Sequence, residues 1–281
     1  MDFYSTDQFS LKLGDAALVI SEMDSESVDC IVTSPPYFGL RDYGQNNQYG
    51  AEATVDEYIS NISKVFIEAQ RVLKSTGTLW LNIGDSYDKK KNLLGVPWKT
   101  AIQLQNSGYI LRNCIIWNKT NPMPQSVTDR FSSKHENIFM FSKERKYKFN
   151  LDDVRIPIKK EYNGKTWEER KAAGEPLRRG NSPKEKEITG FAPNPKGKNP
   201  GDVWDISTGN FKQSHFATFP EEIPKRCIIA GTNKGDVVLD PFSGSATTGK
   251  VSLELDRKYI GIDISEDYHN LALKTRLVNY K

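Results

Sequence analysis

Five residues, Thr33, Ser34, Pro35, Pro36 and Tyr37, set a hydroxyl, two rings without an amide hydrogen and an aromatic face directly behind an apolar run, Val28 to Val32. Proline cannot donate to a sheet ladder, so the carbonyls of Ser34 and Pro35 lack a ladder partner and are free to face a ligand. With the Ser34 hydroxyl beside them and Tyr37 behind, the segment offers acceptors for an NH₂ group and a flat surface for a ring. That chemistry suits a nucleobase held by its exocyclic amine. Taken alone, the same five residues also read as a strand stopped by two prolines, so the motif needs a partner elsewhere in the chain.

A partner lies near the carboxyl end. Val237 to Asp240 reads as a short buried strand running into Pro241, Phe242, Ser243, Gly244 and Ser245, then a helix; the next strand, Tyr259 to Asp263, ends in an acid. A loop of small residues lets backbone approach a ligand. An acid about 20 residues on, at the end of the neighbouring strand, can accept hydrogen bonds from two ribose hydroxyls. The glycine spacing is not that of a dinucleotide fingerprint, and Asp240 and Phe242 stand where a pyrophosphate needs bare N–H groups. A cationic or zwitterionic adenosine derivative fits this loop better.

The elements that must position these residues alternate. A strand ending at Leu13, then Gly14 and Asp15, leads to a short helix, the strand Val28 to Thr33 and a helix from Val55 to Leu73. In that helix Tyr58, Ile62, Val65, Phe66, Ala69 and Leu73 repeat at helical spacing. The strand Thr78 to Ile83, a helix from Pro97 to Asn106, and the strands Tyr109 to Trp117 and Glu136 to Phe141 follow. Further on, Pro220 to Ile229 and Ala246 to Leu255 read as helices, and Ser265 to Leu277 as a last helix capped by Ser265. The alternation predicts an α/β fold with a mainly parallel sheet. One domain, residues 1–150 and 205–281, is expected to be interrupted by an insert over 151–204.

The insert is chemically distinct. Between Leu151 and Pro200 the chain carries 12 Lys and Arg against 8 Asp and Glu, so this stretch holds the basic excess behind the overall net charge of +3. Six prolines, five glycines and few aliphatics cannot build a core there, which predicts a long surface excursion. Beside a base pocket, Arg178, Arg179, Lys184 and Lys186 become candidates for gripping phosphates. The 281 residues are 37% hydrophobic with a mean hydropathy of −0.60, and no apolar run approaches a membrane span. Residues 1–7 lack a basic and apolar leader pattern, so a soluble, intracellular chain without a membrane partner is expected. Cys30, Cys114 and Cys227 lie far apart and read as reduced core thiols. Three scattered histidines predict no metal site.

Asp240, Pro241, Phe242, Ser243, Gly244 and Ser245 resemble the cofactor loop of S-adenosylmethionine-dependent DNA amino-methyltransferases, and Thr33 to Tyr37 resemble their catalytic motif. With the catalytic motif first and the cofactor loop last, the order is similar to that of the β group of the family, whose halves are permuted around a target-recognition segment. Trp117, Asn118, Lys119, Asn121, Pro122, Met123 and Pro124, followed by Arg130, His135 and Glu136, are similar to the family's block ahead of that segment. His215 to Pro220 resembles the block that closes over the methionine part of the cofactor. The resemblance covers nearly the whole chain outside the insert.

It implies a Rossmann-like, mostly parallel, seven-stranded sheet with helices on both faces, permuted motif order and the insert as target-recognition segment. It implies S-adenosylmethionine as cofactor and double-stranded DNA as partner. A cognate restriction endonuclease is a further expected partner, with the enzyme a cytoplasmic monomer or homodimer of prokaryotic, phage or archaeal origin. On the same resemblance Thr33, Asp240, Pro241, Phe242, Gly244 and Ser245 line the cofactor, Asp263 takes the ribose hydroxyls, Asp15 the adenine amine, and Ala217 and Phe219 approach the methionine tail. Asp15 also has a plainer reading, as a helix N-cap.

The expected chemistry is attack by an exocyclic amine, a poor nucleophile because its lone pair is delocalised, on a sulfonium methyl. The Ser34 hydroxyl and Pro35 carbonyl orient the N–H bonds, Pro36 shapes the turn, and Tyr37 stacks on a base flipped from the duplex. Carbon methylation needs a nucleophilic thiol, and Cys30 lies inside a strand. In the family a serine at position 34 is usual for cytosine N4 enzymes, with adenine N6 the alternative. Arg41 and Tyr43, in the lip from Gly39 to Gly44, are expected to reach DNA, and Lys119 and Arg130 to touch substrate. An RNA methyltransferase would use the same pocket. A binding module without chemistry would show damaged cofactor residues, whereas Asp240, Gly244 and Asp263 are intact.

Overall fold

Val28–Thr33 is buried at every position, and a strand covered on both faces belongs in the middle of a parallel sheet. A computed structural model places it there. The structure describes residues 1–40, 44, 48–157, 172–174, 196–208 and 219–281. Within them the strands are β1 (Asp2–Ser5), β2 (Phe9–Leu13), β3 (Val28–Thr33), β4 (Leu73–Ile83), β5 (Ile110–Lys119), β6 (His135–Ser142), β7 (Val203–Ile206), β8 (Val237–Asp240) and β9 (Lys258–Asp263). The helices are α1 (Ala16–Ser21), α2 (Val55–Val72), α3 (Val96–Asn106), α4 (Glu222–Gly231), α5 (Thr247–Glu254) and α6 (Glu266–Lys274).

The chain divides into two compact units, Met1–Asn150 with Gly201–Lys281, and Leu151–Pro200. The first holds one sheet in the order β1-β2-β9-β8-β3-β4-β6-β5-β7. Seven strands were expected, and the described residues form nine. The two additions are the edges: β1 runs antiparallel to β2, and β7 runs parallel to β5. Strand β7 begins inside the stretch assigned by sequence to the insert. Trp204 accounts for this, because its ring is buried while Val203 and Asp205 stay exposed, and the Trp117 indole donates to the Ile206 carbonyl at 2.9 Å. Four residues are too few for a hydrophobic pattern to stand out of a proline- and glycine-rich stretch.

Side-chain alternation assigns the helices to two faces. Ile31, Leu79, Leu81 and Ile83 pack in one cluster with Tyr58, Ile62, Phe66 and Ala69 of α2 and with Leu104 of α3. Cys30, Thr78 and Trp80 point the other way, against Gly231 at the end of α4. Farther along the sheet, Phe9, Leu11 and Tyr259 cluster with Leu253 of α5 and Ala272 and Leu273 of α6. Each such side chain contributes about 1.5–3 kcal/mol when fully buried. Cys30 and Cys227 are buried and unbridged, and burial pushes the Cys30 thiol up to about 12, so it stays protonated and inert.

Strand β3 leads through α2 to β4 on one side, and β8 leads through α5 to β9 on the other. The β8/β3 pair is therefore where the connections diverge, the place where open α/β sheets leave a crevice at their carboxyl ends. Ser265 sits at the N-cap position of α6 without making the side-chain cap expected of it. The Asp263 carboxylate takes the Ser265 amide instead, at 2.9 Å.

In the second unit, Ile156 and Lys198 form a bridge, crossed by Arg155 donating to the Gly197 carbonyl at 3.0 Å and by the Lys196–Asp152 ion pair at 3.1 Å. Among the described residues no helix is long and apolar enough to cross a membrane.

A Cβ added at Gly231 falls 2.7 Å from Thr78 Oγ1 and 3.2 Å from Cys30 Sγ, both buried. Gly231→Ala is therefore expected to lower stability by about 1–3 kcal/mol through overpacking, read as a lower urea midpoint at unchanged slope.

Candidate active site

One rim of the sheet collects polar groups in strand order. Across β2, β9, β8, β3 and β4 the carboxyl ends deliver Asp15, Asp263, Asp240, Ser34 and Asn82. Strand β6 runs antiparallel to β4 and β5, so its amino end brings His135 and Glu136 to the same rim. The two sequence motifs thus lie on adjacent strands, as Ile31 pairs with Leu239 and Thr33 Oγ1 donates to Asp240 Oδ1 at 2.6 Å.

Asp240 is buried, and desolvation raises its carboxyl to about 6, against the stabilising Thr33 and Thr248 hydroxyls and the Phe242 amide. The loop behind it turns sharply. Gly244 has φ +50° and Ala246 φ +60°, the left-handed region that glycine tolerates without strain. The Gly244 amide donates to Asp263 Oδ2 at 2.8 Å, which ties the loop to the end of β9. Burial pushes the Asp263 carboxyl up, opposed first by the Ser265 and Gly244 amides. A Cβ at Gly244 meets nothing within 4 Å, and the buried Ser245 Oγ has no hydrogen-bond partner. A polar orphan beside open space is what a ligand-holding loop presents. Pro241 is buried, and the Phe242 ring packs edge-on against Tyr49 and Phe66 at 5.5 and 6.3 Å between centroids.

Asp15 behaves as a cap. Its Oδ1 accepts from the Leu18 amide at 3.0 Å and its Oδ2 from the Tyr49 hydroxyl at 2.9 Å. Each oxygen takes one hydrogen bond from the protein and keeps capacity for another, so the N-cap role and a ligand contact are compatible. Phe219 is half-buried just ahead of α4. Ala217, Arg41, Tyr43, Arg178, Arg179, Lys184 and Lys186 lie outside the described residues.

In the catalytic segment the Pro36 carbonyl accepts from Tyr58 of α2 at 2.8 Å, and Pro35 is buried. The Tyr37 ring lies against the backbone of Gly84, where an added Cβ would sit 2.7 Å from Tyr37 Cε2. Its hydroxyl donates to Glu136 Oε2 at 2.6 Å and accepts from Asn82 Nδ2 at 2.8 Å. Ser34 Oγ lies 3.1 Å from that hydroxyl. A phenol has one hydrogen, and here a carboxylate takes it, so the Ser34 hydroxyl must donate to Tyr37. Ser34 Oγ lies 3.3 Å from Asn82 Nδ2, whose two hydrogens point to the nearer Tyr37 and Glu136 oxygens, and it keeps acceptor capacity. Asn82 Nδ2 also reaches Glu136 Oε2 at 2.9 Å, and Lys119 Nζ holds Glu136 Oε1 at 2.5 Å.

Beyond Tyr37 a cleft of about 690 Å³ opens, with Glu136, Lys119, Gly84, Asp85, Arg130 and His135 in its walls. Two expected substrate contacts, Lys119 and Arg130, stand in that wall. Lys119 is committed to Glu136 and lies 4.9 Å from the Trp117 ring centroid, so its charge is neutralised within the protein. Arg130 lies 4.2 Å from the Tyr87 ring centroid and donates to the Phe131 carbonyl, which leaves it in the cleft wall. Asp85 caps α3 through the Gly95 and Val96 amides. Sequence reasoning missed Asn82, Gly84 and Tyr49, and it quoted Glu136 without a role. The available signals were a lone amide inside the apolar run of β4 and a carboxylate opening the apolar run of β6.

A parallel-sheet crevice carrying two acidic strand ends, a glycine turn and an oriented hydroxyl defines a nucleoside-binding α/β enzyme. A family model described as DNA methylase, of the N6 and N4 type, matches residues 28–274, and the chain belongs to this family of S-adenosylmethionine-dependent DNA amino-methyltransferases. It is 40% identical to the Type II methyltransferase M.SmaI of Serratia marcescens over 92% of this chain and 88% of that one. It is 39% identical to M.Cfr9I of Citrobacter freundii over 92% and 85%. In fold it matches the cytosine-N4-specific PvuII DNA methyltransferase with a TM-score of 0.70 at 20% identity, covering 96% and 86% of the two chains. It also matches a putative DNA modification methylase from Thermus thermophilus complexed with S-adenosyl-L-methionine, with a TM-score of 0.63 at 22% identity, covering 96% and 95%. Methyltransferases of this class act on DNA in restriction–modification systems.

The unfolded chain loses the Asp240 proton near 3.8 and the folded chain near 6, so stability falls as pH rises between the two. A shift of about 2 units is worth about 3 kcal/mol. Asp240→Asn is expected to be more stable than the parent at pH 8 by up to that amount, with the gap closing toward pH 4, in urea unfolding at both pH values. Gly84→Ala pushes on the Tyr37 ring at the same 2.7 Å. It is expected to slow methyl transfer by about 10²-fold and to lower stability by about 1–3 kcal/mol.

Proposed function

We propose that this enzyme methylates the N4 amine of cytosine in double-stranded DNA, on a base flipped out of the duplex. The observation that carries this reading is the fixed polarity of Ser34: Tyr37 gives its hydrogen to Glu136, so Ser34 faces the reaction as an acceptor. An acceptor hydroxyl beside the Pro35 carbonyl suits a neutral NH₂ group, whose two N–H bonds it orients so that the lone pair stands out of the ring plane. The serine, rather than an acid or amide, and the cytosine-N4-specific relative in fold support cytosine over adenine.

When bound, S-adenosylmethionine supplies an electrophilic methyl on a sulfonium. The residues present fit such a group: the orphan Ser245 hydroxyl, the open Gly244 turn and the Asp240 and Asp263 carboxylates suit a cation with a ribose. In this reading Asp263 takes the ribose hydroxyls, and Thr33 acts through Asp240. Pro241 and Phe242 wall the loop, with Phe219 and Ala217 on the methionine side. The Tyr37 ring offers the base its uncovered face, which offsets part of the few kcal/mol lost on unstacking. The basic stretch around Arg178, Arg179, Lys184 and Lys186, together with Arg41 and Tyr43, grips the duplex, and 151–200 reads the target. A cognate restriction endonuclease completes the proposal.

Duplex DNA incubated with methyl-labelled cofactor and digested to nucleosides is expected to carry label in N4-methylcytosine. Label in N6-methyladenine would overturn the choice of base, and label in RNA alone the choice of polymer. Ser34→Ala is expected to lower the transfer rate by about 10²-fold or more while the cofactor dissociation constant stays within about twofold.

A further inference from the structure

We propose that Glu136 is the proton acceptor of the reaction, reached from the target amine through the hydroxyls of Ser34 and Tyr37. This rests on the reading that the amine is held at Ser34. An exocyclic amine that gains a methyl group carries one proton too many, and an alcohol cannot keep it, because a protonated hydroxyl is a far stronger acid than the group it relieves. A serine that accepts this proton must therefore pass one on as it does so.

The side chains behind Ser34 provide that path. Ser34 Oγ lies 3.1 Å from Tyr37 Oη, and Tyr37 Oη lies 2.6 Å from Glu136 Oε2. As the N–CH₃ bond forms and the S–CH₃ bond breaks, the amine proton passes to Ser34 Oγ, the Ser34 hydrogen to Tyr37 Oη, and the Tyr37 hydrogen to Glu136 Oε2. Both hydroxyls end neutral, and the carboxylate ends as a carboxylic acid. Burial, and then the nearby Glu136 charge, hold the Tyr37 phenol well above its ordinary range, so it enters the step protonated. Asn82, 2% exposed, donates to both Tyr37 and Glu136 and braces them against each other.

The end of the line is placed for discharge. Glu136 forms part of the cleft wall, its side chain 13% exposed, so its proton can leave to water between turnovers. Lys119 faces it directly, at 2.5 Å, on the side away from Tyr37. Asp85, Asp88, Lys89, Arg130 and His135 stand in the walls of the same cleft without a hydrogen bond to Glu136. A purely structural Glu136 would need only to hold Tyr37 in place, and a glutamine does that through its own carbonyl.

Tyr37→Phe keeps the ring and removes the hydroxyl; Glu136→Gln keeps an acceptor for Tyr37 and removes the basicity. In single-turnover transfer to a duplex bound beforehand, each is expected to be slower by about 10²-fold or more. DNA affinity, cofactor affinity and the fluorescence of 2-aminopurine at the target position should stay near the parent values. The double variant should be no slower than the slower single one, since both changes cut one path. Glu136→Asp, which keeps a carboxylate, should be faster than Glu136→Gln. A single variant within about threefold of the parent rate, multiplying losses in the double, or an aspartate no faster than the glutamine would each overturn the assignment. A parent enzyme that labels no DNA base at all would instead sink the substrate reading.

Discussion

The hydrogen bond from Thr33 to Asp240 closes the molecule at its centre. At 2.6 Å, between side chains that are each 1% exposed, it joins the carboxyl ends of the two central strands, β3 and β8, which stand 207 positions apart in the chain. A hydroxyl that donates to a carboxylate is worth about 1.5–3 kcal/mol, and leaving that carboxylate unmatched would cost more. With the β3/β8 pairing below it, the bond sets the relative height of the Ser34–Tyr37 segment and the loop after β8. Because the halves are far apart in sequence, nothing local can set that height. The elevated Asp240 carboxyl is the cost of the arrangement, a carboxylate kept in a dry seam.

From that seam the site is built outward by topology. Five parallel strands in a row present their carboxyl ends to one rim, so polar residues at strand ends meet although they come from every part of the chain. Strand β6 is the exception that completes the set. Running against its neighbours, it brings its first residues, His135 and Glu136, to the rim where the others bring their last. The same inversion puts Lys119, at the end of β5, next to Glu136.

Much of this was legible in the sequence, for physical reasons that differ by element. The interior strands and α2 were readable because burial on two faces, or on one helical stripe, forces a long regular apolar pattern. The loop after β8 and the Ser34–Tyr37 segment stood out as candidates because glycine, proline and acids at strand ends have few bland explanations. Edge strands β1 and β7 were not, since four residues paired on one side carry no lasting pattern. Asp15 was ambiguous for a reason the structure exposes: a carboxylate that caps a helix and one that binds a ligand occupy the same position at the end of a strand.

Asn82 and Glu136 illustrate the harder limit. Each is one polar residue in an otherwise apolar strand, and in isolation each reads as a tolerated exception. Their meaning lies in which oxygen takes the single hydrogen of Tyr37, a question of distance between β3, β4 and β6 that no spacing along the chain encodes. Once that hydrogen is assigned to Glu136, the direction of the Ser34 hydroxyl follows by counting donors and acceptors. The polarity of Ser34 is thus decided by a residue on another strand, and Tyr37 links the two through its hydroxyl.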